Sequence, residues 1–218
     1  MKDKTNYITQ EQFKALLDNI PKLSSDLPHD RIKLAFKVVY EGALRVSELL
    51  QITPEDLDKE HKQIILRQTK GGKRRCKCSK WKKTKLVSVD KDCKKCLGSG
   101  KYRVKEFAWV SPETWQELLV CATTLPKETP IFPVSRQTFW SWCKQLGELV
   151  GVKMQHEEKE TTNLFPHALR HSRPIHLLQT GNFEINEIMT KLRHKSLQPT
   201  TTYVTVSRES VQAKEASL

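Results

Sequence analysis

The chain has no apolar run approaching the roughly 20 residues that a membrane-crossing helix needs. Its first residues, Met1-Lys-Asp-Lys-Thr-Asn-Tyr7, carry no apolar stretch behind their charges. A spanning helix and a secretory leader are therefore not expected, and a cytosolic protein is. Internal repeats and low-complexity tracts are missing too, which argues against a stacked-repeat or disordered chain. Acidic residues are scarce in one place. Between Arg67 and Glu106, Asp90, Asp92 and Glu106 stand against 16 Lys or Arg, while the rest of the chain holds 22 bases and 22 acids. The whole net charge of +13 thus lies in one stretch. An excess so concentrated is an electrostatic footprint for a polyanion. No amphipathic helix carries these lysines, which turns the reading from a membrane surface to nucleic acid.

With 218 residues, 37% of them hydrophobic, the chain can fill one substantial core. Thr9-Gln-Glu-Gln12 reads as a capping box opening a helix through Phe13, Leu16, Leu17 and Ile20. A second helix is predicted from about Asp30 to Glu41, stopped by Gly42, and a short one from Val46 to Leu50. Ile64-Ile65-Leu66 is a β-branched run and predicts a strand, paired with one between Tyr102 and Val110. Ser111 and Ser135 cap two further helices, the second stopping at Gly151 with Phe139, Trp140, Cys143, Leu146 and Leu149 along it. The polar run 153–163 reads as a loop. Helices from about Ala168 to Thr180 and Glu184 to Lys191 complete a mainly α-helical, α+β fold with a small antiparallel sheet.

Four of the six cysteines fall inside the basic stretch as Cys76-Lys-Cys78 and Cys93-Lys-Lys-Cys96, the second pair followed by Leu-Gly-Ser-Gly100. Two close pairs at this separation offer four thiolates to a tetrahedral ion, as a zinc ribbon does, and a reducing cytosol argues against disulfides. A segment so poor in apolar residues folds with metal-binding energy rather than with a core. Structural zinc on Cys76, Cys78, Cys93 and Cys96 is expected, in an insertion of about residues 74–103 between the strands of a hairpin. Lys73, Arg74, Arg75, Lys80, Lys82, Lys83 and Lys85 would then lie along a basic finger against DNA phosphates. Cys121 and Cys143 sit among apolar neighbours and read as core.

A third set of residues is spread along the chain: Arg45 in Ala-Leu-Arg-Val-Ser-Glu, Lys70 in Thr-Lys-Gly-Gly-Lys, His167 and Arg170 in Pro-His-Ala-Leu-Arg-His-Ser, then His194 and Tyr203. Opening a phosphodiester with a side-chain nucleophile needs an attacking group, cations on the non-bridging oxygens and a proton for the departing oxygen. Guanidinium forks bind two oxygens at once and stay charged, which suits the second task. Each element alone is commonplace; their joint order is not. From about residue 8 to residue 206, with the cysteine-rich insertion interrupting it, the chain resembles the catalytic domain of the tyrosine recombinases, the phage integrase family.

The resemblance implies specific roles. Arg45 and Arg170 would clamp the scissile phosphate, and Tyr203 would attack it, leaving a 3′-phosphotyrosyl link that conserves the bond energy without a cofactor. Lys70 would protonate the 5′ hydroxyl, His167 would assist proton transfer from the tyrosine, and His194 would hydrogen-bond the phosphate. It further implies double-stranded DNA as partner, a homotetramer at synapsis, and strand transfer of the type IB topoisomerase kind in site-specific recombination or integration.

Departures from the family pattern are Pro174 inside a helix, where it removes a hydrogen bond and is expected to kink or restart the helix, Arg193 where glycine is usual before the histidine, and Arg173 nearby. Arg173 and Arg193 are expected as added DNA contacts. With 44 residues before Arg45, the usual N-terminal DNA-clamping domain is expected to be absent, leaving one catalytic domain over 1–218. The rival readings are a non-catalytic DNA-binding relative and a zinc-ribbon RNA-binding protein. The second accounts for the insertion alone.

Overall fold

The computed structural model describes residues 7–67, 73–82, 85–94, 97–103, 105–152, 154–156, 159–161, 163–180, 183–194, 200–201 and 203. The capping box is formed, with the Thr9 Oγ1 accepting from the Gln12 N–H and the Gln12 side chain accepting from the Thr9 N–H, and it opens helix α1, Gln10–Asn19. Helix α2, His29–Glu41, buries Ile32, Leu34, Ala35, Phe36, Val38, Val39 and Tyr40, which wrap so much of its circumference that it becomes the central helix. After the short α3, Val46–Leu49, comes a three-stranded antiparallel sheet, β1 (Leu57–Asp58), β2 (Gln63–Leu66) and β7 (Glu106–Ala108). Ile64 and Leu66 alternate inward from β2, so the strand's period of two sets its register against Ala108 and Glu106.

Helix α4, Pro112–Thr123, starts where Ser111 caps it, and Glu41 at the end of α2 accepts from the Ser111 N–H and the Thr114 hydroxyl. Helix α5, Arg136–Val150, is capped by Ser135 and ends at Gly151, whose φ of +68° is open to a residue without Cβ. It buries Phe139, Trp142, Cys143 and Leu146, with Phe139 stacked on Phe36 of α2 at 4.9 Å. Trp140 and Leu149, counted with its apolar face from sequence, are about half exposed. Helices α6, Pro166–Gln179, and α7, Ile185–Leu192, follow. Among the described residues no helix is long and apolar enough to cross a membrane.

Two expectations change. Within the run expected to be a loop, β8 (Met154–His156) and β9 (Lys159–Thr161) pair as antiparallel strands. Val152 and Met154 are buried in the main core, which anchors the first strand of a polar ladder that periodicity cannot distinguish from coil. Helix α6 also runs unbroken through Pro174. The buried Pro174 ring lines a small cavity together with Ala43, Leu177, Ile188 and Leu192.

Between β2 and β7 the chain makes a basic arm. Strands β3 (Lys73–Arg75) and β6 (Lys101–Arg103) pair antiparallel, and β4 (Ser79–Lys82) and β5 (Lys85–Val89) pair beyond them. The predicted single strand to Val110 is thus two, β6 and β7, serving different ladders.

Candidate active site

The turn that ends α2 starts the site. Ala43 sits at φ +46°, and its carbonyl receives the Arg170 Nη1 from α6 and, at 3.0 Å, the Arg193 Nη2. Two residues on, the Arg45 N–H and Nη1 donate to Glu48 at 2.9 and 2.6 Å. Glu48 is 3% exposed and gathers three guanidiniums: Arg45, Arg193 at 3.0 Å and Arg170 at 3.7 Å. Burial alone would raise its carboxyl, but Arg193, the Arg45 N–H, Arg170 and Arg45 together hold it below the usual range. Arg170, 2% exposed, also donates to the Leu192 carbonyl at 2.7 Å. Burial, with Arg193 and Arg45 alongside, lowers its guanidinium to about 10, still charged at neutral pH. Glu48 therefore holds the arginines in place but leaves the cluster positive.

Three imidazoles complete the ring of groups. His167 and His171 lie one helical turn apart on α6, edge to face at 4.4 Å between centroids. The His171 Nδ1 lies 2.5 Å from the Tyr203 hydroxyl. Tyr203 is 3% exposed and packs with Ala43, Ile175, Leu177, Ile188 and Leu192 in a small apolar cluster of its own. Burial raises its phenol, opposed by Arg170. His194 follows α7, its Nδ1 2.9 Å from the Thr200 Oγ1. Desolvation, with Arg170 and Arg45 beside it, lowers the His167 imidazole below its ordinary value. His171 falls to about 4 through burial, then His167, Arg170 and His194; His194 falls to about 4 through burial, then Arg170, Arg45 and Arg193. All three are neutral at physiological pH, so they can accept protons or donate single hydrogen bonds. Arg45 and His167 line a groove of about 840 Å³ whose other wall carries Arg136, Gln137 and Trp140.

Five of the six residues expected in the catalytic set, Arg45, His167, Arg170, His194 and Tyr203, thus meet in one place; Lys70 lies outside the described residues. His171 was not singled out in the sequence. Its signal was there, since residues i and i+4 share a helix face and His171 repeats His167 at that spacing. Arg193 is corrected as a DNA contact: its side chain is 5% exposed and bound to Glu48 and the Gly42, Ala43 and Lys191 carbonyls, with Nε 3.8 Å from Glu106. Its φ of +58° explains why glycine is the easier residue there. Arg173 is likewise turned inward, its guanidinium 5.4 Å above the Tyr40 ring.

In the arm, the sulfurs of Cys76, Cys78 and Cys93 lie within 4.8 Å of one another, and Cys76 and Cys93 are 3.7 Å apart. Cys76 is buried, with its N–H donating to the Gly100 carbonyl at 2.8 Å. Gly100, at φ +69°, sits so close to Leu86 that a Cβ would come within 2.8 Å of it. Cys96 and Lys83 lie outside the described residues, and for Lys73, Arg74 and Arg75 the backbone alone is described. Lys80, Lys82 and Lys85 are exposed, as expected. Cys143 is buried and Cys121 half-buried, both packed in the main core.

The profile of the Phage integrase family matches residues 6–210. A tyrosine recombinase XerA from Thermococcus onnurineus is 27% identical over 205 residues, covering 94% of this chain and 60% of the relative. The chain thus spans about three fifths of the length of that curated relative. Among solved structures, a XerH site-specific recombinase bound to palindromic difH substrate in a post-cleavage complex aligns with TM-score 0.64 at 14% identity, covering 98% of this chain and 53% of that one. The catalytic domain of bacteriophage HP1 integrase aligns with TM-score 0.59 at 14% identity, covering 95% and 91%. At those identities the structural likeness establishes the fold.

Proposed function

Because the chain belongs to the phage integrase family, we propose that it cleaves and rejoins DNA strands through a 3′-phosphotyrosyl intermediate on Tyr203, in site-specific recombination or integration. The observation that carries this reading is the convergence of Arg45 and Arg170 on the buried Glu48 carboxylate, with His167, His194 and Tyr203 beside those guanidiniums, from segments 158 residues apart at the extremes. DNA binding alone has no use for a phenol among guanidiniums.

In this reading the scissile phosphate lies between Arg45 and Arg170, whose positions Glu48 sets before substrate arrives. Charge developing on the non-bridging oxygens then meets cations already in place. His194 donates a hydrogen bond to the same phosphate, and Lys70 supplies the proton to the 5′ oxygen. Double-stranded DNA is the partner, in keeping with the structurally similar Tn1549 transposon integrase, solved in complex with circular intermediate DNA. Exchange between two duplexes breaks four strands and so requires four such tyrosines, which is the basis for proposing a tetramer. The compartment proposed is the cytoplasm.

The arm is proposed to hold structural zinc. Tetrahedral zinc with Zn–S of about 2.3 Å places its sulfurs about 3.8 Å apart, and the Cys76–Cys93 separation of 3.7 Å fits that value. Cys76, Cys78 and Cys93 supply three soft donors, and Cys96 is the proposed fourth. When bound, the metal ties both turns of the arm together; it takes no part in strand cleavage.

The test is a nicked suicide DNA duplex carrying the recognition site. The wild-type protein should form a covalent adduct mapping to Tyr203, and Tyr203→Phe should bind with unchanged affinity but form none. An adduct in the Phe variant would overturn the assignment.

A further inference from the structure

The tyrosine hydroxyl does not face the imidazole that the His-x-x-Arg motif offers. It faces the next one, with the His171 Nδ1 2.5 Å from the Tyr203 Oη and the two rings 5.7 Å apart at 42°. Building on the strand-cleavage reading above, we propose that His171 is a catalytic residue, the general base that takes the Tyr203 proton.

The geometry meets the first requirement of a general base, hydrogen-bond reach of the proton it removes. A neutral imidazole protonated on Nε2 presents the Nδ1 lone pair, to which the phenol O–H donates. The groups that face His171 are His167 and Arg170 on its own helix, His194 beyond α7, and Tyr203 itself. Burial and these neighbours hold its basicity down to about 4 in the DNA-free protein.

The step balances without a further reactant. The Tyr203 O–H bond breaks and its proton passes to His171 Nδ1, while the oxygen's electron pair forms the new bond to phosphorus. The P–O5′ bond breaks, its electron pair leaves on the 5′ oxygen, and Lys70 protonates that oxygen. In rejoining, the 5′ hydroxyl attacks, Lys70 recovers its proton, and His171 returns its own to the departing tyrosine.

The experiment measures single-turnover adduct formation on saturating nicked duplex for the wild type, His171→Ala and His171→Asn. Asparagine places an acceptor near Nδ1 but cannot hold the proton, so it separates positioning from base catalysis. Both variants should slow by roughly 100-fold or more near pH 7, with DNA affinity retained. Their rates should climb about tenfold per pH unit toward pH 9, as hydroxide removes the phenol proton instead, while the wild-type rate stays level. On a duplex with sulfur replacing the 5′ bridging oxygen, whose thiolate leaves unprotonated, the His171 deficit should persist and that of Lys70→Ala should shrink. Recovery of the wild-type rate in His171→Asn, pH profiles parallel to wild type, or relief of the deficit by the sulfur substrate would each overturn the proposal. A wild-type adduct that maps away from Tyr203 would overturn this proposal and the reading beneath it. A Tyr203 adduct formed at wild-type rate by both variants overturns this one alone.

Discussion

The helical core and the basic arm meet at β2 and β7 and are held together by different forces. In the core, Phe36, Phe139 and Leu118 are covered almost completely, and one contiguous apolar cluster runs from Ile8 to Leu169. In the arm, Leu86, Val87 and Leu97 are 39%, 64% and 84% exposed, so burial contributes little there. Among the described residues the arm is held by short backbone ladders, the Ser79 hydroxyl on the Cys76 and Gly100 carbonyls, and three clustered sulfurs. Of the proposed reacting groups, Arg45, His167, Arg170, His194 and Tyr203 sit on the core side. If the arm holds DNA as proposed, chemistry and grip can be perturbed separately.

The largest separation should come from the metal. Elemental analysis should find one zinc per chain, and Cys76→Ser with Cys93→Ser, or strong chelation, should remove it and abolish amide-exchange protection in β3 to β6. Helical circular dichroism should hardly change. Melting of both regions together would break the contrast. Next comes packing. Phe139→Ala should cost about 3–5 kcal/mol in denaturant unfolding, whereas Val87→Ala should cost less than about 0.5 kcal/mol.

Acid should act on the core through its imidazoles, since residues 67–106 contain no histidine. His171 and His194 are held at about 4, below the ordinary 6.5. Between those values the unfolded chain binds protons that the native state refuses. Stability is then full above about pH 6.5 and declines as pH falls toward 4. The melting midpoint of metal-loaded protein should follow that window, and His171→Asn should flatten part of the decline. Smallest in effect on any one contact is the charge of the arm. Replacing Lys80, Lys82 and Lys85 with Gln should lower the log–log salt slope of DNA affinity by up to about 0.9 per lysine in phosphate contact. Cleavage of already bound DNA should stay the same. An unaltered slope would remove the arm from the DNA.

Much of the core was legible because its signals are local. Caps at Thr9, Ser111 and Ser135, the stop at Gly151 and the apolar faces of α2 and α5 each act within a turn of where they are written. What was missed depends on distant partners. The β8–β9 pairing follows from where Val152 and Met154 anchor. The exposure of Trp140 and burial of Trp142 are a choice of face made by the helices packed on α5, α1 foremost. The direction of Arg193 was not legible at all, since nothing near it in sequence announces Glu48. In the site, motif spacing drew attention to His167, and the helical repeat that puts His171 against the nucleophile was passed over.

Arg193 has a mechanical consequence. One guanidinium reaches Glu48 in the catalytic cluster at 3.0 Å and Glu106 on β7 at 3.8 Å. Glu106 is the last acid of the basic stretch and the first residue of the strand that brings the arm back to the core. The arm is thus moored to the arginine cluster by a side-chain stay as well as by its own backbone. Glycine at 193 would ease the left-handed backbone by about 1–2 kcal/mol and cut that stay. Position 193 is where a more relaxed chain would be a less tightly braced one.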